Sequence, residues 1–507
     1  MTDTIDHLVR LQAAKYGDKP MVIDPGGRLS FREIDSTTGE VAATLIEAGV
    51  RKGTRVGLVM PNCTRWVQIA IAATRIGAVL VPLSTLLQPA ELTAQLRMAA
   101  VQFLVSVEEF RGHRYLDAIH SVPRTELPAL HHIWPVNRLH HVYAEEPARR
   151  IVDAMTATVT PADPLAIMFT SGSSGAPKGV IHSHGNALGA VRSGLAVRCI
   201  TSDSRLYLPM PFFWVGGFGS GILSALLAGA TLVTEERPTP ATTLRLLQRE
   251  RVTLFRGWPD QAEALARHPD RAEVDLSALR PGSLDALLPV EQRAPAGARA
   301  LLFGMTEAFG PYCGYPADTD LPVTARGSCG KPFPGMEVRI VDLDSGRPAP
   351  AGTVGMIQLR GPHTLRGICR RSREDLFTAD GFYATGDLGR FDADGFLFYH
   401  GRSDDMFKVS GATVYPGEVE RALRTVDGVQ NAFVTDVAGE VAAAVLCHDL
   451  DASRLRDAAR KVLSAFKVPT VWLLLGSDDD VPRGGTGKVD IRRLRQLLSA
   501  QGTRVQG

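Results

Sequence analysis

Short β-branched runs alternate with Ala/Leu-rich stretches along most of the chain. "RVGLVMP" (55–61) predicts a buried strand, "WVQIAIAATRIGA" (66–78) a helix, and "VLVPL" (79–83) a second strand. "ATLVT" (230–234), "VTLFRGWP" (252–259) and "RALLFGMTE" (299–307) repeat a strand-then-turn pattern. This alternation predicts α/β layers with largely parallel sheets. From about 327 the texture changes: "MEVRIVD" and "GMIQLRG" read as strands joined by Pro/Gly loops such as "SGRPAPAG", a smaller and more antiparallel subdomain. After "GRSDD" (401–405) comes helix "GEVERALRTV", strands "VQNAFVTDV" and "EVAAAVLCH", helix "ASRLRDAARKVLSAF" and strand "TVWLLL". The fold class expected is α/β. A large N-terminal domain of layered α/β subdomains and a β-rich subdomain covers residues 1–401, and a small α+β domain covers 402–507.

Composition narrows the function classes. The 507 residues carry 45% hydrophobic and 22% charged side chains, ordinary for a globular protein. The net charge of +2 provides no basic excess for nucleic acid or an anionic membrane. No apolar run reaches the roughly 18–20 residues of a membrane span. The charged start, "MTDTIDHLVRLQAAKYGDK", reads as a short helix and not as a secretory leader. Six scattered cysteines without a CxxC pair read as reduced thiols of a cytoplasmic protein. Six of the thirteen histidines fall in 113–141, but no Cys or ordered carboxylate accompanies them, which favours a solvated surface loop over a metal cluster.

The stretch with the most chemistry is "FTSGSSGAPKGV" (169–180). Gly/Ser composition alone is compatible with a flexible linker. Its position after the strand-like "DPLAIMF" and before "VIHSHGNALGAV", which opens a helix, argues instead for an anion cradle. Glycines there let several backbone N–H groups converge, Thr170, Ser171, Ser173 and Ser174 add hydroxyls, and Lys178 adds a positive charge. It is not a GxxxxGK[ST] phosphate loop, because "AP" separates Gly175 from Lys178.

"TSGSSGAPKGVIHSHGN" resembles the phosphate-binding signature of the adenylate-forming superfamily, which comprises acyl-CoA synthetases, luciferases and the adenylation domains of peptide synthetases. Further segments resemble that superfamily's motifs in order: "FGMTE" (303–307), "GSCGKPFPGMEVRIVD" (327–342), "YATGDLGR" (383–390), "GRSDDMFKVSGATVYPGEVE" (401–420) and "PRGGTGKVDIRRL" (482–494). The resemblance covers nearly the whole chain and is greatest to an acyl-CoA synthetase.

The resemblance implies ATP, Mg²⁺ and coenzyme A as cofactors and co-substrates: a carboxylate and ATP form acyl-AMP and pyrophosphate, and a thiol then captures the acyl group. Ser171, Gly172, Ser173, Ser174, Gly175 and Lys178 would hold phosphates, with Thr170 and Glu307 placing the metal. Phe303, Gly304, Met305 and Thr306 would face the nucleotide, Asp387 the ribose hydroxyls, and Arg402 the ribose or α-phosphate. Lys488, in "RGGTGK", would reach the carboxylate and α-phosphate, so Lys488, Glu307 and Thr170 are the catalytic candidates. Asp404 matches the hinge about which the small domain would swing, bringing Lys408, Ser410 and Gly411 to the thioester step. Taken singly, Glu307 and Asp387 also read as capping carboxylates, Phe303 as strand core, Arg402 as a surface charge and Lys488 as a loop lysine.

"LPMPFFWVGGFGSG" (208–221) resembles the acid-pocket motif. Many members carry a histidine where this chain has Trp214, so any gate here is steric and apolar; Trp214 as plain core is the other reading. The candidate pocket residues are Phe213, Trp214, Val215, Gly216, Gly217 and Ser283, with Gly216, Gly217 and Gly219 leaving room. Peptide-synthetase domains of the resembled superfamily that take amino acids carry an aspartate near here for the substrate amine; "FFWVGG" has none, which counts against an amino acid, and Phe212, Phe213 and Phe218 are apolar. The expected acid is therefore hydrophobic: fatty, alicyclic or aryl. "LRPGSLDALLP" (279–289) departs from the "GGAPL"-like stretch of many members, which leaves the pocket floor open. Coenzyme A is the expected acceptor, a carrier protein the alternative, and a nucleotide-binding pseudoenzyme a third reading. The oligomeric state, a homodimer included, is open.

Overall fold

The structure is a computed structural model that describes residues 4–139, 146–170, 177–409, 412–484 and 489–505, without the side chains of 146–149, 408, 412 and 413. Ser171, Gly172, Ser173, Ser174, Gly175, Ser410, Gly411 and Lys488 lie outside the described residues, as does the Lys408 side chain. The chain divides into two compact units. One comprises Met1–Glu337 and Arg360–Tyr383, the other Val338–Leu359 and Ala384–Gly507.

The first unit is built on two sheets. The seven-stranded sheet runs in the order Gly367–Ile368, Lys178–Ser183, Pro164–Thr170, Val79–Leu83, Arg55–Val59, Phe103–Ser106, His132–Pro135. Its last five strands are parallel, and the Lys178–Ser183 strand is antiparallel to its neighbours. The five-stranded sheet runs Leu254–Phe255, Arg205–Tyr207, Thr231–Val233, Pro20–Asp24, Gly27–Ser30, with only the last strand antiparallel. The strand Val79–Leu83 is buried at every position, as a parallel strand covered on both faces requires. The helix Thr64–Arg75 buries every residue from Trp66 onward, because it packs against the Val79–Leu83 strand of one sheet and the Pro20–Asp24 strand of the other. A helix buried on every side is stable only in such an interior position.

In the second unit, the strands Glu337–Val341, Gly355–Arg360, Tyr383–Phe391 and Leu397–Arg402 form a four-stranded sheet. A second four-stranded sheet runs Val429–Val437, Glu440–Cys447, Val471–Leu475, Thr503–Arg504, with helices Pro416–Leu423, Ala452–Val462 and Ile491–Gln501.

Two expectations change. "RALLFGMTE" yields only the strand Phe303–Met305, paired antiparallel with Gly310–Gly314, and Leu301 is 62% exposed. "VIHSHGNALGAV" is strand before it is helix. Val180 and Ile181 continue the ladder with the Pro164–Thr170 strand, and the helix starts only at His184, capped by the Ser183 hydroxyl. Among the described residues no helix is long and apolar enough to cross a membrane. His120, His131 and His132 are exposed, His132 on an edge strand, and His140 and His141 lie outside the described residues.

Candidate functional site

The strands that flank the Gly/Ser segment pair antiparallel, and residues 171–176 between them lie outside the described residues. Thr170 ends one strand, Lys178 begins the next, and the two face each other in register. Both ends are therefore fixed to the seven-stranded sheet, which a flexible linker would not be.

"FGMTE" folds as the strand Phe303–Met305 followed by a turn, Thr306–Ala308. The turn lies against the Pro164–Thr170 strand, which places Glu307 beside this strand pair. Glu307 is buried, its Oε1 accepts a 3.2 Å hydrogen bond from the Tyr383 hydroxyl, and its carbonyl accepts from Leu365 N at 2.7 Å. Phe309 closes the turn in the left-handed region, at φ 52°, and packs edge-on against His182 and Phe218. Gly304 tolerates no side chain, because a Cβ there would lie 2.2 Å from the Gly310 carbonyl across the hairpin. Phe303 is half-buried and meets Tyr312 edge-on, and Met305 packs on the cluster of Val180, Leu365 and Ile368.

His182 joins the two motifs. Asn186 Nδ2 donates to its Nδ1 at 2.8 Å, so the ring proton sits on Nε2 and is donated to the Thr306 carbonyl at 2.9 Å. Burial pushes its pKa down to about 3, with the Thr306 and Asn186 hydrogen bonds only partly opposing. His184, in the first turn of the next helix, is likewise held down to about 4 by burial. His182 therefore stays neutral in the folded chain while the unfolded chain takes up a proton below its ordinary 6.5. The stabilisation is complete above pH 6.5 and is lost as pH falls towards 3, by about 1.4 kcal/mol per pH unit. Urea midpoints between pH 7 and 4.5 are expected to fall less steeply in His182→Leu than in the parent. Parallel slopes would remove His182 from this role.

In the second unit, Asp387 and Arg402 are cross-strand partners on Tyr383–Phe391 and Leu397–Arg402. Arg402 Nη1 donates to the buried Asp387 carboxylate at 3.1 Å and to the Thr385 carbonyl at 2.9 Å, and its Nη2 lies 3.8 Å from Asp404. Gly386 sits at φ +77°, where side chains are strained, and a Cβ there would lie 2.7 Å from Arg402 Nη2 and push the guanidinium aside. Asp404 is exposed in the turn that follows.

The acid-pocket segment leaves the carboxyl end of the Arg205–Tyr207 strand. Asn62 holds it, accepting from Phe212 N at 2.8 Å and donating to the Met210 carbonyl at 2.9 Å. Trp214 is half-buried and meets Phe213 and Trp258 edge-on. The glycines do not open space: a Cβ on Gly216 would lie 2.6 Å from Met210 Sδ, and one on Gly217 would lie 2.1 Å from the Pro211 carbonyl. Val215 is buried in the main core. Ser283 is buried too, but its hydroxyl accepts from Phe255 N at 3.2 Å and so anchors the end of the neighbouring strand. Sequence reasoning passed over His182, Asn186 and Tyr383, although all three stand inside the quoted motifs. They stand among other polar residues, in "IHSHGN" and "YATGDLGR", so no pattern of burial in the sequence marks them out.

Residues 9–369 match the AMP-binding enzyme family. The chain is 33% identical to a 3-[(3aS,4S,7aS)-7a-methyl-1,5-dioxo-octahydro-1H-inden-4-yl]propanoyl:CoA ligase of Mycobacterium tuberculosis, over 97% of this chain and 98% of that protein. It is 30% identical to a feruloyl-CoA synthase of Amycolatopsis sp, over 92% of this chain and 94% of that protein. The crystal structure of the anthranilate CoA ligase AuaEII with anthranoyl-AMP superposes with a TM-score of 0.82 at 25% identity, covering 99% of this chain and 98% of that one. A buried glutamate beside the strand pair that flanks the Gly/Ser segment, together with a match spanning most of the chain, makes this protein a member of the AMP-binding enzyme family.

Proposed function

We propose that the chain is an ATP-dependent, AMP-forming acid–thiol ligase that adenylates a hydrophobic carboxylic acid and passes the acyl group to coenzyme A. The observation that carries this reading is Glu307: a buried carboxylate, oriented by Tyr383, on a turn that His182 ties to the strand pair flanking the Gly/Ser segment. The named activities of the relatives support it, and their acids, one alicyclic and one aryl, favour a bulky ring acid over a plain fatty acid.

Attack of a carboxylate on a triphosphate brings anion against anion, so positioning and charge neutralisation supply the catalysis. The backbone and hydroxyls of Ser171, Gly172, Ser173, Ser174 and Gly175, with Lys178, would hold the β- and γ-phosphates. Thr170 and Glu307 suit a magnesium ion: a hydroxyl and a carboxylate are hard oxygen donors, and Tyr383 engages only Oε1. That ion would offset phosphate charge. Phe303 to Thr306 form the adenine side, Asp387 accepts from the ribose hydroxyls, and Arg402, already oriented by Asp387, faces the ribose or α-phosphate. Lys488 meets the carboxylate and α-phosphate in the first step. Phe213, Trp214, Val215, Gly216, Gly217 and Ser283 border the acid site.

Residues 402–507 would turn about Asp404 between the steps, bringing Lys408, Ser410 and Gly411 to the thiol. Proline at the hinge costs about 3 kcal/mol wherever its torsions do not fit. Asp404→Pro is therefore expected to keep acid-dependent pyrophosphate release and to lose about a hundredfold in acyl-CoA formation. Equal loss of both half-reactions would sink the hinge. The function as a whole is tested by pyrophosphate release across a panel of ring and chain acids, with coenzyme A and a holo-carrier protein compared as acceptors. Absence of release with every acid would overturn it.

A further inference from the structure

The corner of the five-stranded sheet next to the acid segment holds a half-buried cation, Arg256, that forms no ion pair with a carboxylate among the described residues. The Arg205–Tyr207 strand has Thr231–Val233 on one side and Leu254–Phe255 on the other, all parallel. The chain passes first to one side and then to the other. The carboxyl ends of Arg205–Tyr207 and Leu254–Phe255 therefore flank a switch in strand order, the place where open α/β sheets take ligands. Arg256 stands there, its N–H donating to the Tyr207 carbonyl, so its segment leaves the sheet beside the one that carries Trp214.

The Arg256 guanidinium is only partly satisfied. Nη1 donates to the Gly282 carbonyl at 2.6 Å, while Nη2 is buried and has no partner. Burial pushes its pKa down. No carboxylate among the described residues forms an ion pair with it. A second cation, Arg198, lies close enough to feel its charge. Arg198, 4% exposed, spends its guanidinium on the Gly194, Val191 and Ser220 carbonyls and the Ser224 hydroxyl. Burial, and then the charge of Arg256, hold the Arg198 pKa down to about 9. Arg198 thus ties down the acid segment at Ser220 without neutralising Arg256. One turn away, Gln261 presents a buried Oε1 that accepts no hydrogen bond and lies 3.2 Å from where a Gly257 Cβ would be. The edge-on Trp214–Trp258 pair closes the same corner with apolar surface. A buried guanidinium N–H left unmade costs stability with no return inside the fold, whereas an oxygen of a bound acid would satisfy it.

We infer that Arg256 is a specificity residue that receives an oxygen acceptor on the acid substrate, a ring carbonyl or a second carboxylate, remote from the carboxylate that reacts. The inference rests on the ligase reading above and narrows its substrate class from a hydrophobic ring acid to an oxygenated one.

The test compares kcat/KM for pyrophosphate release with acids on one skeleton: 3-cyclohexylpropanoate, its 3-oxo and 4-oxo ring derivatives, and its 4-carboxy derivative. The parent is expected to favour at least one oxygenated acid over the unsubstituted one by about tenfold or more. Arg256→Met should lower kcat/KM about tenfold more for that acid than for the unsubstituted one, with Arg256→Lys intermediate. Preference for the oxo acids assigns a neutral carbonyl; preference for the carboxy acid assigns a second anion. A parent that prefers no oxygenated acid, or a variant that loses equally on all, overturns the inference. Release with the plain acid alone sinks this inference only, whereas no release with any acid in either this set or the broad panel sinks the ligase reading itself.

Discussion

Glu307→Gln is expected to slow acid-dependent pyrophosphate release by about 10²–10³-fold, the effect of removing one preorganised electrostatic group from a water-poor site. The substitution is close to isosteric. A glutamine oxygen still accepts from the Tyr383 hydroxyl, and the turn is held by contacts the side chain does not make, from His182 Nε2 to the Thr306 carbonyl and from Leu365 N to the Glu307 carbonyl. What disappears is the charge beside the phosphate loop. Single-turnover pyrophosphate release measures the loss, and an unchanged thermal midpoint shows that the turn persists. A rate within threefold of the parent would take Glu307 out of the chemistry.

Glu307 was legible in the sequence as part of "FGMTE", but its neighbours were not. Tyr383 stands 76 residues away and His182 contacts Thr306 across 124 residues. Periodicity reports how each segment meets its own sheet or core. It carries no information about which distant segment lies alongside. Arg256 was illegible for the same reason: in "VTLFRGWP" it is one charge at the end of a strand, and only the tertiary structure buries its Nη2 without a partner next to the acid segment.

Arg75→Met is expected to destabilise the first unit by about 3–5 kcal/mol, the usual cost of breaking a buried ion pair by removing one partner. Arg75 is 2% exposed. Its Nη2 meets Asp6 at 2.6 Å and Asp35 at 2.9 Å, and its Nη1 donates at 2.8 Å to both the Thr38 hydroxyl and the Asp35 carbonyl. This one guanidinium joins the helices Ile5–Tyr16, Phe31–Glu47 and Thr64–Arg75. Methionine keeps much of the volume and none of the bonds, so Asp6 Oδ1 loses its cation and only the exposed Arg10, at 2.9 Å from Oδ2, still pairs with this carboxylate. Urea unfolding at pH 7 gives the loss. Adding Asp6→Asn to Arg75→Met is expected to cost less than the sum of the single changes, because the Arg75–Asp6 pair can be lost only once. A loss below 1 kcal/mol, or strict additivity, would contradict the network. At the end of "WVQIAIAATRIGA" the arginine reads as an ordinary basic residue in the last turn of a helix; three helices meeting around it give it another task.

By itself, the sequence determined the elements whose burial is local. "VLVPL" is the strand Val79–Leu83 and "VQNAFVTDV" the strand Val429–Val437, residue for residue, since β-branched and alternating patterns state which faces must leave water. It also determined the ordered motifs that mark the AMP-binding enzyme family. The tertiary structure decided that the strands flanking the Gly/Ser segment pair antiparallel, that 178–183 is a strand, that Gly216 and Gly217 are filled by their own chain, and that His182, Tyr383, Arg75 and Arg256 each meet partners from remote segments. Those outcomes depend on contacts closed across tens to hundreds of residues. There, packing and the pairing of buried polar groups select among partners that local propensity cannot tell apart.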